Sequence, residues 1–188
     1  MSDDLAQLRI SRLFLHPVKS CAGVAVDEAL LIDTGFEFDR AWMVVDAHGQ
    51  FLSQREHPKL ALVSTKLRAS DVVLKAPGML ALHLQLDSAE GECRVRVWDD
   101  TVAALDMGDL AAQWFSTYLG LPARLARFDP AVNRYADEKW CKGVPSRTAF
   151  ADGFPLLVVS TASLVELNRR LQAAGQPTVA MERFRPNI

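Results

Sequence analysis

Cysteine is scarce and unpaired in this chain. The 188 residues hold three, Cys21, Cys93 and Cys141, far apart and with no CxxC spacing among them. A disulfide framework is therefore not expected, and neither a cysteine zinc knuckle nor a redox dithiol is available. Histidine is equally thin: His16, His48, His57 and His83 lack the close spacing that puts two metal ligands on one helix face. No run approaches the ~18 apolar residues of a spanning helix, and the opening MSDDLAQLR has neither the basic nor the apolar region of a signal peptide. A cytoplasmic location without membrane association is expected. An excess of one charge is also missing. The formal net charge is −2 with no basic cluster, so nucleic acid is not an expected partner and any anion site must be local.

What the chain does have is 49% hydrophobic and 23% charged residues, a globular composition without repeats or low-complexity tracts. From Leu8 to about Met107 it is a succession of short alternating runs: LRISRLFL, VAVDEALLI, AWMVVDAHG, LALVSTKLR, DVVLKA, LALHLQL, CRVRVW and TVAAL. Period-two alternation reads as half-buried strands, and DTG, HGQ, PGM and EGE read as connections. Val95, Val97 and Val102 should face one side, with Arg94 and Arg96 solvated on the other. So many short strands favour a small barrel over an open sheet, because closure protects the edges. The fold class is mainly β with a few helices, α+β.

Beyond Asp106 the period changes. Leu110, Trp114, Phe115, Tyr118 and Leu119 predict a helix from about Asp109 to Leu119, closed by Gly120 and Pro122. ARLARF reads as a further strand, residues 133–153 as a long surface loop, and the apolar FPLLVVS as a strand. A second helix follows from about Ala162 to Ala173. Ser163 with Glu166 forms a capping box, while Ser160 and Thr161 compete as caps. Val179 to Ile188 reads as extended.

The stretch HPVKSCAG, 16–23, ends the first strand on a proline and then offers Lys19, Ser20 and Cys21 together. It is a solvated turn or one wall of a small site, and residue types alone do not choose. Arg40, the hydroxyls Ser160, Thr161 and Ser163 at a helix start, and Arg183, Arg185 and Asn187 in RFRPN are all phosphate-compatible. Capping alone also accounts for the serines. In an extended RFRPN the two arginines share a face and call for an anionic neighbour, either a ligand or an internal carboxylate. Cys21 reads as a small buried residue sooner than as a thiolate activated by Lys19. Lys19 could in principle carry a Schiff base, as with pyridoxal phosphate, but that needs a depressed pKa and an apolar pocket.

HPVKSCAG, DTGFEFDRAWMVVD, FLSQREHPKLALV, FADGFPLLVVSTASLVELNRRL and RFRPNI, in this order, resemble the MOSC proteins (molybdenum cofactor sulfurase C-terminal domain) that carry an N-terminal β-barrel, a group including bacterial MOSC reductases and the mitochondrial amidoxime reducing component. The resemblance runs from about Leu8 to Ile188. It implies an N-terminal barrel domain over residues 1–125, with one helix near 109–119, and a linker loop plus the first part of a MOSC domain over 126–188. It also implies a pterin-type molybdenum cofactor contacted by Lys19, Ser20, Arg40, Ser160, Thr161 and Arg185, with Arg183 and Asn187 nearby. The activity implied is reduction of N-hydroxylated small molecules with electrons from a redox partner protein. In the family the metal-ligating cysteine lies downstream of RFRPN, so none of Cys21, Cys93 and Cys141 matches it, no metal ligand is expected in this chain, and an N-terminal fragment is expected. Two alternatives remain open: a non-catalytic anion, pterin or partner-binding module, and sulfur transfer through a persulfide on a cysteine.

Overall fold

A computed structural model describes residues 8–86 and 88–188. The chain lays down β1 (Leu13–Leu15), β2 (Val18–Lys19), β3 (Val24–Val26), β4 (Leu31–Ile32), β5 (Gly35–Phe36) and β6 (Trp42–Asp46). Next come β7 (Ser64–Leu67), β8 (Asp71–Lys75), β9 (Leu82–Gln85), β10 (Gly91–Val97) and β11 (Asp100–Asp106). Helix α1 (Gly108–Leu119), β12 (Ala123–Phe128), the one-turn α2 (Glu138–Cys141) and α3 (Thr161–Ala173) complete it.

The central sheet has the order β10-β11-β12-β6-β2, antiparallel except where β2 runs parallel to β6. It curls. The segment after β6 folds back so that Phe51 N–H donates to Arg96 O (3.1 Å) and Arg96 N–H to Gly49 O (2.8 Å), which ties the β6 edge to β10. Inside this curl lie Met43, Val45, Phe51, Val95, Val97, Val102, Ala126 and Phe128. Alternation sends Trp42 and Val44 to the opposite face, into a second core with Leu60, Leu74, Phe115 and Leu125 under α1 and the β7-β8-β9 sheet. β6 is thus apolar on both faces because both are covered. Arg94 and Arg96 are exposed while Val95 and Val97 are buried, as alternation requires.

Several elements differ from the sequence reading, each for a local reason. LALVSTKLR is not one strand: Pro58–Leu62 is a 3-10 turn, since Pro58 opens it without a ladder donor, and pairing starts at Ser64. On α1 the buried face is Ala111, Trp114, Phe115 and Tyr118, whereas Leu110 points to solvent. The supposed surface loop 133–153 is anchored: Arg134, Thr148, Ala149 and Phe150 are buried, and Arg134 donates to the carbonyls of Ala149 and Ala151 at 2.8 Å. FPLLVVS forms no strand among the described residues. Leu157 and Val159 bond through the backbone to Asn187 and Ile188, Ser160 O accepts from Leu164 N–H in α3, and Leu157 and Val158 are exposed. A continuous apolar run lacks the periodicity that would have separated these cases. RFRPN is not extended either, because Met181–Phe184 makes a 3-10 turn and Arg185 follows in the left-handed region. The α3 cap is Ser160, whose Oγ accepts from Ser163 N–H at 3.0 Å; Glu166 instead pairs with Arg169 and Arg170.

The α1 face makes a direct test. Phe115→Ala should cost about 3–5 kcal/mol of unfolding free energy by urea denaturation, while Leu110→Ala, on the exposed face of the same helix, should stay within about 0.5 kcal/mol.

Candidate functional site

A cleft of about 730 Å³ opens beside the β2 end of the central sheet. Lys19, Ser20, Arg40, Arg185 and Asn187 line it, brought together from three distant stretches of chain. β2 delivers Lys19, pairing with β6 so that Lys19 stands opposite Met43. Arg40 is stitched in just ahead of β6: its N–H donates to His16 O at 2.9 Å, and its carbonyl accepts from Phe150 N–H at 3.2 Å.

Asn187, 1% exposed, clamps the C-terminal segment to the first strand. Its Nδ2 donates to Phe14 O at 3.1 Å, and its Oδ1 accepts from Arg40 Nη1 (2.9 Å) and Leu157 N–H (3.1 Å). Arg40 Nη2 also donates to Arg185 O at 2.9 Å, and Arg40 is paired with buried Asp39. Arg40 therefore acts mainly as the strut that sets Arg185, whose own guanidinium donates to Cys21 O.

Backbone strain is concentrated here. Six non-glycine residues among those described have left-handed φ, and four of them line this cleft: Ser20 (69°), Arg40 (47°), Trp98 (56°) and Arg185 (55°). Each costs on the order of 1 kcal/mol, and such outliers persist where surrounding contacts over-determine them, commonly at functional sites. Trp98 takes its conformation at the two-residue turn between β10 and β11, which needs a positive φ to reverse the chain.

The cleft is electropositive at its floor. Lys19, 6% exposed, donates from Nζ to Phe150 O (2.8 Å) and to Asp152 Oδ1 (2.5 Å), and sits 5.2 Å from the centre of the Phe51 ring. Burial lowers its pKa while Asp152 opposes the shift, and the amine donates to both oxygens. Burial and then the Arg40 charge pull Arg185 down to about 10, still cationic at neutral pH. Burial raises Asp39, with Arg40 resisting. Burial, Arg40 and Arg185 drive His16 to about 3, so it is a neutral imidazole donating from Nε2 to Pro186 O at 3.1 Å. Cys21 is fully buried and its thiol is pushed up to about 12 by desolvation.

Not all the sequence candidates meet. Ser160 and Thr161 lie exposed at the α3 start, outside the cleft lining, with Ser160 spent on the cap. Arg183 lies outside this cleft and lines a neighbouring one with Glu182 and Pro186, while Arg185, which follows the 3-10 turn, borders both. Sequence reasoning missed Asp152, Trp98 and Phe51. Asp152 sat in a stretch read as loop, and Trp98 at the end of a strand run; only the hairpin register turns that tryptophan over the cleft. Among the described residues no group of three His, Cys, Asp or Glu could hold a metal ion, and none of the three cysteines lines the cleft. No helix among them is long and apolar enough to cross a membrane.

Two predictions test this network. Asn187→Ala strands Phe14 O, Leu157 N–H and Arg40 together and should cost about 2 kcal/mol or more in urea denaturation; a loss below about 0.5 kcal/mol would contradict the clamp. His16 binds a proton readily when unfolded, near 6.5, but only near 3 when folded. Its contribution to stability is therefore complete above 6.5 and lost as pH falls toward 3. His16→Gln should lose less stability than the wild type between pH 7 and pH 4; equal losses would show that His16 is not a source of the acid sensitivity.

Residues 7–122 match the family model of the MOSC N-terminal beta barrel domain. Mitochondrial amidoxime reducing component 2 of Rattus norvegicus is 36% identical over 192 aligned positions, covering 95% of this chain and 55% of that protein. Mitochondrial amidoxime-reducing component 1 of Homo sapiens is 32% identical over 95% of this chain and 55% of its own length. Molybdenum cofactor sulfurase of Homo sapiens is 31% identical over 89% of this chain and 20% of its own length. The chain thus spans about half the length of the amidoxime reducing components it matches. A solution structure of a Bordetella bronchiseptica protein aligns at 34% identity over 56% of this chain and 91% of that one, with a TM-score of 0.45. The matched span covers β1 to β11, including the β7-β8-β9 sheet, together with α1, and ends just before β12; by it the chain belongs to the MOSC N-terminal beta barrel domain family.

Proposed function

We propose that the cleft holds the phosphate and pterin of a pterin-type molybdenum cofactor, within an oxidoreductase that reduces N-hydroxylated small molecules using electrons from a redox partner protein. In this reading, residues 126–188 are a linker and the first part of a MOSC domain. The observation that carries it is the convergence of Lys19, Ser20, Arg40 and Arg185 on one cleft, three of them held in left-handed backbone. The names of the relatives, amidoxime reducing components and a molybdenum cofactor sulfurase, supply the chemistry.

The residues present suit such a group. Lys19 and Arg185 are cations whose burial strengthens their interaction with an anion, and Ser20 adds a hydroxyl donor. Phe51, Trp98, Phe154 and Phe184 give the cleft aromatic walls against which a flat ring can lie. The molybdenum, when bound, supplies the electron chemistry, and the protein supplies binding and orientation. Lys19 and Arg185 would hold the phosphate, Arg40 and Asn187 would fix Arg185, and the aromatic rim would exclude water. Lys19 and Arg185 each donate to protein oxygens in the cleft, which fixes where their donors point. Sulfur transfer finds no support at Cys21, which is sealed from solvent and held as a thiol.

Phenyl phosphate, a phosphate monoester on an aromatic ring, is a minimal probe. Calorimetric titration of the wild-type chain should show saturable binding, weakened about tenfold or more by Lys19→Met and by Arg185→Met, the loss expected for a charge-assisted hydrogen bond. Unchanged affinity in both variants would remove the cleft as an anion site.

A further inference from the structure

The cation at the centre of this cleft is already occupied. Lys19 has three N–H donors. One is fixed to the Phe150 carbonyl, and another meets Asp152 Oδ1 at 2.5 Å. The two partners are unlike. Phe150 is fully buried and its carbonyl cannot leave, whereas the Asp152 side chain is 72% exposed at the cleft mouth and next to Gly153. The other contact of Asp152 in the cleft is Trp98, whose Nε1–H donates to the same Oδ1 at 2.8 Å. The Lys19 side chain is only 7% exposed and cannot swing out to water. When the pair opens, Asp152 is the member that moves.

We propose that Asp152 is a built-in competitor for the ligand anion: its carboxylate takes the Lys19 ammonium in the free protein, with Trp98 steadying it, and an incoming phosphate must displace it. This rests on the cleft being an anion site, as proposed above. The geometry supports displacement over shared use. A carboxylate left in place would put its negative charge beside a phosphate bound to the same ammonium, whereas a displaced Asp152 is solvated directly at the mouth of the cleft. Trp98 sits on the strained β10–β11 turn and lines the cleft, so the contact that steadies Asp152 also belongs to the ligand wall. A residue whose role was to orient Lys19 for the ligand would behave oppositely, because its removal would weaken binding.

The two roles differ in sign, and the experiment reads that sign. Phenyl phosphate is titrated into the wild-type chain, Asp152→Asn and Asp152→Ala, with thermal melts confirming that each is folded. Both variants should bind about tenfold more tightly than wild type, the fold-change of one charge-assisted hydrogen bond no longer competed for. Binding seen only in the variants would support the proposal equally. If the wild type binds and both variants bind with equal or lower affinity, Asp152 is not a competitor, and the anion-site reading stands without it. If none of the three proteins binds, the anion site itself is refuted and the competitor with it.

Discussion

The site depends on how the Arg40–Asn187 junction closes residues 185–187 onto the first strands. One arginine bonds to Asp39, to the Asn187 amide and to the Arg185 carbonyl, while Asn187 bonds back to Phe14. The links to Arg185 and Asn187 each span more than 140 positions of sequence. Without them Arg185 has no fixed relation to Lys19, and the cleft has only one wall. The junction is buried, so its polar groups are costly to strand. This makes it both the stabiliser of the C-terminal segment and the device that sets the geometry of the cleft.

The same closure explains the chemistry of the neighbouring groups. Burial first, and then the charges of Arg40 and Arg185, keep His16 neutral, so that it serves as an uncharged donor to Pro186. The closure also explains why left-handed residues gather there. Ser20, Arg40 and Arg185 each end or begin a short ordered piece, and each must turn sharply to aim its side chain into the space between them. Strain and an excess of positive charge meet in this one cleft, and both are features that cluster at functional sites.

Much of this was legible in the residues. Alternation placed Val95 and Val97 inside and Arg94 and Arg96 outside, and α1 was bounded correctly by its aromatic period and Gly120. The wall residues Lys19, Ser20, Arg40, Arg185 and Asn187 were named from residue type and order. Their relation to one another was not legible, because it depends on long-range hydrogen bonds that leave no period in sequence. RFRPN shows one limit: alternation puts Arg183 and Arg185 on one face, but a local 3-10 turn leaves only Arg185 in the lining of the cleft, with Arg183 in the neighbouring one that Arg185 also borders. VVSTAS shows another. Its hydroxyls satisfy a helix start, and that local use fully explains their pattern. Asp152 and Trp98 were missed because their role arises only when a hairpin turn and a loop approach each other in space.

Backbone amide shifts on adding phenyl phosphate to the isotope-labelled chain report where an anion sits without removing any residue. An anion bound in the cleft should give saturable shifts at Ser20, Arg40 and Arg185 and at the indole N–H of Trp98, all with one affinity. Shifts confined to Ser160–Ser163 at the start of α3, or none that saturate, would contradict an anion site in the cleft.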